Sequence, residues 1–378
     1  MNFEPYPFEK LNILLKDITP NDKYEPSTLT IGEPQFETPH FIQEALYNSV
    51  AQLKKYPKTA GEDELIAAQI EFVSKRFNVN LSDKEIIPTF GTREVLFNFP
   101  QFFLFDKKEP TIAFTNPFYQ IYEGAAIASK AKTIHLNLTQ ENAFKPEIDE
   151  EKLSSCHLVI LNFPNNPTSS TLSLEELSHW VKLALKYDFV LLNDECYSEI
   201  YTSTPIPSLL EASIHAGNET FKNILVINSI SKRSSAPGLR SGFIAGDETI
   251  LREYIKYRTY LGCASPLPLQ SAAAAAWRDE KHVQVARDIY RKNFEAAYEI
   301  LGAQIPEATF YLWLSVPNAL EFTKKLYKEY NVKVLPGEYL GRDDKNGFNP
   351  GKDFIRIALV EDTKKIKSAL ERIKECLS

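Results

Sequence analysis

Short apolar runs rich in β-branched residues recur along the first two thirds of the chain, each the length of a buried strand and each followed by a polar turn. They cover 86–90, 111–114, 133–136, 158–162, 189–193, 224–228 and 242–246. Segments with apolar residues at helical spacing lie among them, over roughly 92–104, 118–130 and 173–187. Strands alternating with helices predict an α/β layered fold, in which ligands bind beyond the strand ends. Several of these runs do end beside polar residues with chemical potential.

After about residue 265 the pattern changes. An alanine-rich helix over 269–276 leads into a longer helical stretch over 283–301, and three strand-like runs follow at 309–314, 332–337 and 354–359. These predict a second, smaller α/β unit. The proline-rich segment up to about residue 40 is too irregular to stand alone and is expected to pack on that unit. The chain of 378 residues is long enough for two units sharing a cleft. The division expected is a large domain over 41–268 and a small one from 1–40 with 269–378.

Composition narrows the partners. A charged fraction of 25% with 43% apolar residues is ordinary for a soluble globular chain. The net charge of -7 supplies no basic stripe, which argues against nucleic acid as a partner. No apolar stretch approaches the roughly 20 residues that cross a bilayer, so no membrane partner is expected. Cys156, Cys196, Cys263 and Cys376 are scattered without metal-ligand spacing, which predicts neither a metal site nor a disulfide framework. With no basic-then-apolar leader at the start, a cytoplasmic location is the expectation.

Candidate chemistry centres on Lys232, in the run Ser229-Ile-Ser-Lys-Arg233. A lysine attacks a carbonyl only when its amine is neutral, a state favoured by burial and by nearby cations, here Arg233 and Arg240. Ser229 and Ser231, at the end of a strand-like run, offer hydroxyls to a phosphate. Gly91, Thr92 and Arg93 stand where a strand gives way to a helix, so that backbone amides face an anion; alternatively Thr92 is a plain helix cap. Tyr119, after Pro117, is either a stacking surface or core. Asn166 sits in a loop stiffened by two prolines and can donate a hydrogen bond, or belong to an ordinary turn. Asp194 follows a buried strand and requires a cationic partner, such as a pyridinium nitrogen, unless it caps a helix. Tyr197 lies three residues on.

Together these motifs resemble the class I/II pyridoxal phosphate-dependent aminotransferases, nearly end to end and in the family's order: Gly32-Glu-Pro34, Tyr56 with Gly61, Gly91-Thr-Arg93, Pro117-Phe-Tyr119, Asn165-Asn-Pro-Thr168, Asp194-Glu-Cys-Tyr197, Ser229-Ile-Ser-Lys232, Gly238-Leu-Arg240 and Arg356. The resemblance implies an aspartate aminotransferase-like fold, with a mostly parallel seven-stranded sheet sandwiched by helices plus a smaller α/β domain. It implies pyridoxal 5'-phosphate as cofactor, bound as an aldimine on Lys232, which also moves the substrate proton. Asp194 would pair with the ring nitrogen, Tyr119 stack on the ring, and Asn166 and Tyr197 bond its phenolate oxygen. Gly91, Thr92, Ser229, Ser231 and Arg240 would hold the phosphate, joined by Tyr56 from the partner subunit of a homodimer, and Arg93 would also be cofactor-binding. Arg356, with Gly32 and Asn166, would grip the substrate α-carboxylate. Ser169 stands where relatives commonly have glycine.

Segments 116–126, 193–201, 231–243 and 257–263 resemble more closely the N-succinyldiaminopimelate aminotransferases. That subgroup implies reversible amino transfer between N-succinyl-LL-2,6-diaminopimelate and 2-oxoglutarate, in lysine and diaminopimelate biosynthesis. Such a substrate carries further carboxylates, for which Arg93, Arg233 and Arg258 are candidates; Arg233 could instead tune Lys232 or pair with a glutamate, and Arg258 could be structural. The same chemical residues would serve aspartate, aromatic, N-acyl-ornithine or N-acetyl-diaminopimelate substrates. A carbon–sulfur lyase, a decarboxylase and a cofactor-sensing regulator on this fold are the remaining alternatives.

Overall fold

The structure, a computed structural model, describes residues 3–378. The seven runs form one sheet of strands β1 (Ile86–Thr89), β2 (Thr111–Asn116), β3 (Lys132–Asn137), β4 (Leu158–Leu161), β5 (Val190–Asp194), β6 (Ile224–Ser229) and β7 (Gly242–Gly246). Their order is β1-β7-β6-β5-β4-β2-β3, and only β7 runs against its neighbours. This is the mostly parallel sheet expected.

The strands read as unbroken apolar runs because both faces are covered. Alternate side chains along β4 show it: Val159 and Leu161 enter one core, Leu158 and Ile160 the other. The first core is closed by helices His40–Ser49, Asp63–Phe77, Leu174–Tyr187, Leu209–His215 and Leu267–Arg278. The second is closed by Thr92–Phe103, Ile121–Ala128 and Glu248–Arg258. The stretch expected to be helical from 118 becomes so only at Ile121, because the Phe118 amide donates to the carbonyl of Leu340 in the second unit.

Helix Leu267–Arg278 places Ala272, Ala273, Ala274, Ala276 and Trp277 in the first sheet core. Its small side chains let it lie close against His40–Ser49. The cores therefore divide later than 268. We place the joint at Asp279–Glu280, before the long helix Lys281–Leu301 buries Phe294, Ala296 and Ala297 in a separate core.

That second unit contains an antiparallel sheet ordered Leu335–Pro336, Phe354–Ala358, Tyr311–Ser315, covered by helices Ala319–Tyr330 and Thr363–Leu377. The run expected as one strand over 332–337 is split, since Val332–Lys333 pairs instead with Ser27–Thr28. Helix Pro7–Leu15 packs Leu11 and Leu15 against Leu335 and Leu340, and Leu29 enters the separate core of the second unit. The first two residues of the 1–40 segment lie outside the described residues. No helix among those described is long and apolar enough to cross a membrane.

Candidate active site

Because β4, β5 and β6 are parallel, their carboxyl ends deliver Asn162, Asp194 and Ser229 to one edge of the sheet. A cleft of about 1020 Å³ opens there and is closed on the far side by residues of the second unit, including Tyr311, Leu340 and Arg356.

Lys232 lies on the short helix Ile230–Arg233 directly after β6, and its Nζ donates to the carbonyl of Gly32. Burial lowers its pKa to about 8, opposed by the negative influence of Cys196 and Glu33. A substantial fraction of the amine is then neutral near physiological pH, as a carbonyl nucleophile requires. Gly32 leaves room for Tyr311 to close on this segment: a Cβ there would stand 1.7 Å from the Tyr311 hydroxyl.

Asp194 is 5% exposed. It accepts from the Tyr122 hydroxyl at 3.0 Å and from the Cys196 amide at 3.2 Å, neither of them a cation. Burial raises its pKa, while those hydrogen bonds and the charge of Lys232 oppose the rise. A buried carboxylate held by neutral donors is suited to a cationic ligand atom.

Across the cleft, Arg356 donates to Asn166 Oδ1 at 2.7 Å and to the Thr30 carbonyl at 2.6 Å, and lies over the Tyr311 ring at 4.4 Å. Its Nε is buried without a partner. The Tyr197 hydroxyl meets that of Tyr311 at 3.0 Å. Tyr119 lines the cleft and accepts from Arg93 Nε at 2.7 Å.

Gly91 (φ +74°) opens helix Thr92–Phe103, and a Cβ at this position would lie 2.1 Å from Arg240 Nη2. The guanidinium thus approaches the amide-bearing end of a helix, where an anion is favoured. Ser229 and Ser231 join this corner, their hydroxyls 2.8 Å apart.

The structure brings together in this cleft Gly32, Thr92, Arg93, Tyr119, Asn166, Asp194, Tyr197, Ser229, Ser231, Lys232, Arg240 and Arg356, with Gly91 at its edge. Tyr56 is elsewhere, fully exposed on the surface. Two candidate carboxylate binders are also elsewhere. Arg233 is buried, bonded to the Ala276 carbonyl at 2.8 Å and paired with Glu280. Arg258 holds Glu94 with two nitrogens, at 2.9 and 3.1 Å. Both are enclosed by partners, so of the three only Arg93 faces the cleft.

Four contributors escaped the sequence reading: Tyr122, Asn162, Cys196 and Tyr311. Tyr122 had a legible signal, three residues beyond Tyr119 in a stretch expected to be helical. Asn162 bonds the Asp194 carbonyl at 2.9 Å and stood inside a noted motif. Tyr311 had none, since only the folded topology brings its strand to Lys232.

Comparison with known proteins gives this geometry its context. The family described as aminotransferase class I and II matches residues 26–373. The chain belongs to this family. Among solved aminotransferases, AspB from Helicobacter pylori 26695 is 55% identical with a TM-score of 0.96, over 100% of this chain and 99% of that one. The aminotransferase from Neisseria meningitidis Z2491 is 39% identical with a TM-score of 0.95, over 100% and 98%. The LL-diaminopimelate aminotransferase of Natranaerobius thermophilus is 31% identical over 393 residues, covering 100% of this chain and 98% of that protein. The fold is aspartate aminotransferase-like. An aminotransferase moves an amino group between an amino acid and a 2-oxo acid, both of them small carboxylate-bearing molecules.

Proposed function

We propose that this aminotransferase moves an amino group reversibly between N-succinyl-LL-2,6-diaminopimelate and 2-oxoglutarate, in lysine and diaminopimelate biosynthesis, using pyridoxal 5'-phosphate held covalently by Lys232. The observation that carries the cofactor assignment is buried Asp194, supported by neutral donors only, in the same cleft as a lysine of lowered pKa. The Gly91–Arg240 corner, which any side chain at Gly91 would fill, fits the phosphate.

When bound, pyridoxal phosphate supplies an electron-accepting ring that stabilises negative charge on the substrate α-carbon. Asp194 would pair with the ring nitrogen, with Tyr122 orienting Asp194. Tyr119 would stack on the ring, and Asn166 and Tyr197 would bond its phenolate oxygen. Gly91, Thr92, Ser229, Ser231 and Arg240 would hold the phosphate, with Arg93 beside them at the cofactor. Lys232 would take and return the proton of the substrate α-carbon, which is general acid–base work. Arg356, assisted by Gly32 and Asn166, binds the α-carboxylate with the planar geometry that suits it. Tyr56 of the partner subunit completes the phosphate site in a homodimer.

The cleft supports a long, multiply charged donor, with Arg356 and Arg93 both lining it. A second reading, free LL-diaminopimelate, is favoured by Glu33, which lines the cleft and would suit an unacylated ammonium. The test compares kcat/KM with 2-oxoglutarate as acceptor for N-succinyl-, N-acetyl- and free diaminopimelate, aspartate and phenylalanine. The proposal requires the N-succinyl donor to lead; preference for free diaminopimelate selects the second reading, and preference for aspartate or phenylalanine rejects both.

A further inference from the structure

The three residues that follow Lys232 are tied to both places where the chain passes between the sheet unit and the second unit. One passage is the joint Asp279–Glu280, between helices Leu267–Arg278 and Lys281–Leu301. Arg233 bonds the Ala276 carbonyl just before it and pairs with Glu280 within it, its guanidinium packed against the rings of both Phe72 and Trp277 at 4.9 and 5.1 Å. Ser234 Oγ meets His282 Nε2 at 2.8 Å, and His282 Nδ1 meets Asp279 Oδ1 at 2.6 Å. The other passage is the segment leading to helix His40–Ser49, where Thr38 donates to the Ser235 carbonyl at 2.6 Å and Gly32 accepts from Lys232. Ser235 is held at φ +47°, a left-handed conformation that side chains rarely adopt.

The serine–histidine–aspartate chain has the order of a hydrolytic triad. Ser234 is nevertheless 1% exposed and does not line the cleft, so it is closed to substrate. A hydrogen-bonded relay that binds nothing, spanning a joint and ending two residues from the reactive lysine, is suited to fixing position. Asp279 and Arg233 supply the nearest opposed charges on His282, Arg287 on its own helix adds a second cation, and Phe41 packs on its ring.

We propose that Arg233 and the Ser234–His282–Asp279 relay are positioning residues, which couple the placement of Lys232 to the joint between the two units. The proposal rests on Lys232 being the covalent anchor of pyridoxal phosphate.

The test uses the holoenzyme and the variants Ser234→Ala and His282→Gln, the two substitutions guarding against one failing to fold. Borohydride reduction with peptide mapping first locates the cofactor in the parent; label absent from Lys232 overturns the site reading itself. In variants with the parent's thermal unfolding midpoint, we expect label still on Lys232. The pH midpoint of the visible cofactor band should move by about half a unit, roughly a threefold change in equilibrium. Turnover should fall with KM nearly unchanged, and the double variant should match the more impaired single one, as expected of one relay. Folded variants with the parent's band, midpoint and kcat overturn the proposal.

Discussion

At the residue scale, the chemistry depends on how burial treats two charges. Desolvation holds Lys232 at about 8, well below an exposed lysine. The rate at which cofactor-free protein captures added pyridoxal phosphate should therefore rise with pH through a midpoint near 8; a midpoint near that of free lysine would show the amine to be solvated. Burial acts in the opposite sense on Asp194, raising its pKa. Asp194→Ala should lower kcat by about 10²–10³-fold, the scale of losing one preorganised electrostatic contact, while the protein stays folded. Lys232, Asp194 and Arg356 were legible in sequence because each sits in a short run whose neighbours constrain it. Tyr311 was not, because its strand reaches Gly32, Tyr197 and Arg356 only through folding of the second unit. For Arg233 the sequence left several roles open, and the fold selects one of them, pairing with a glutamate, Glu280.

At the element scale, the strand runs were legible because burial on both faces removes polar positions, leaving β4 wholly apolar and β5 and β6 apolar up to the two polar residues at their carboxyl ends. Helix Leu174–Tyr187 was legible through its apolar spacing, and the structure shows its start capped: Ser173 accepts from the Glu176 amide while Glu176 accepts from the Ser173 amide. Ser173→Ala should destabilise the protein by about 1 kcal/mol in denaturant unfolding, with kcat unchanged, since the cap is remote from the cleft. What sequence did not show was which core an alanine-rich helix joins. Leu267–Arg278 has small residues on several sides, and the packing of Trp277 beside Phe72 and Phe243 decides the matter.

At the scale of the whole molecule, the cleft exists only because two units meet, and Tyr56 lies outside it, fully exposed with Tyr47, Leu53 and Tyr260 also on the surface. We expect sedimentation to give twice the mass of one chain. Tyr56→Phe should weaken pyridoxal phosphate binding several-fold in that dimer, and a monomer with unaltered cofactor affinity would contradict this. The central claim, that Lys232 is the covalent centre of the aminotransferase, is tested most directly by reducing the protein with borohydride in the presence of pyridoxal phosphate and mapping the labelled peptide. We predict a single phosphopyridoxyl label on Lys232, absent from a folded, inactive Lys232→Ala variant. Label on another residue, or transamination by Lys232→Ala at the parent's rate, would contradict the account.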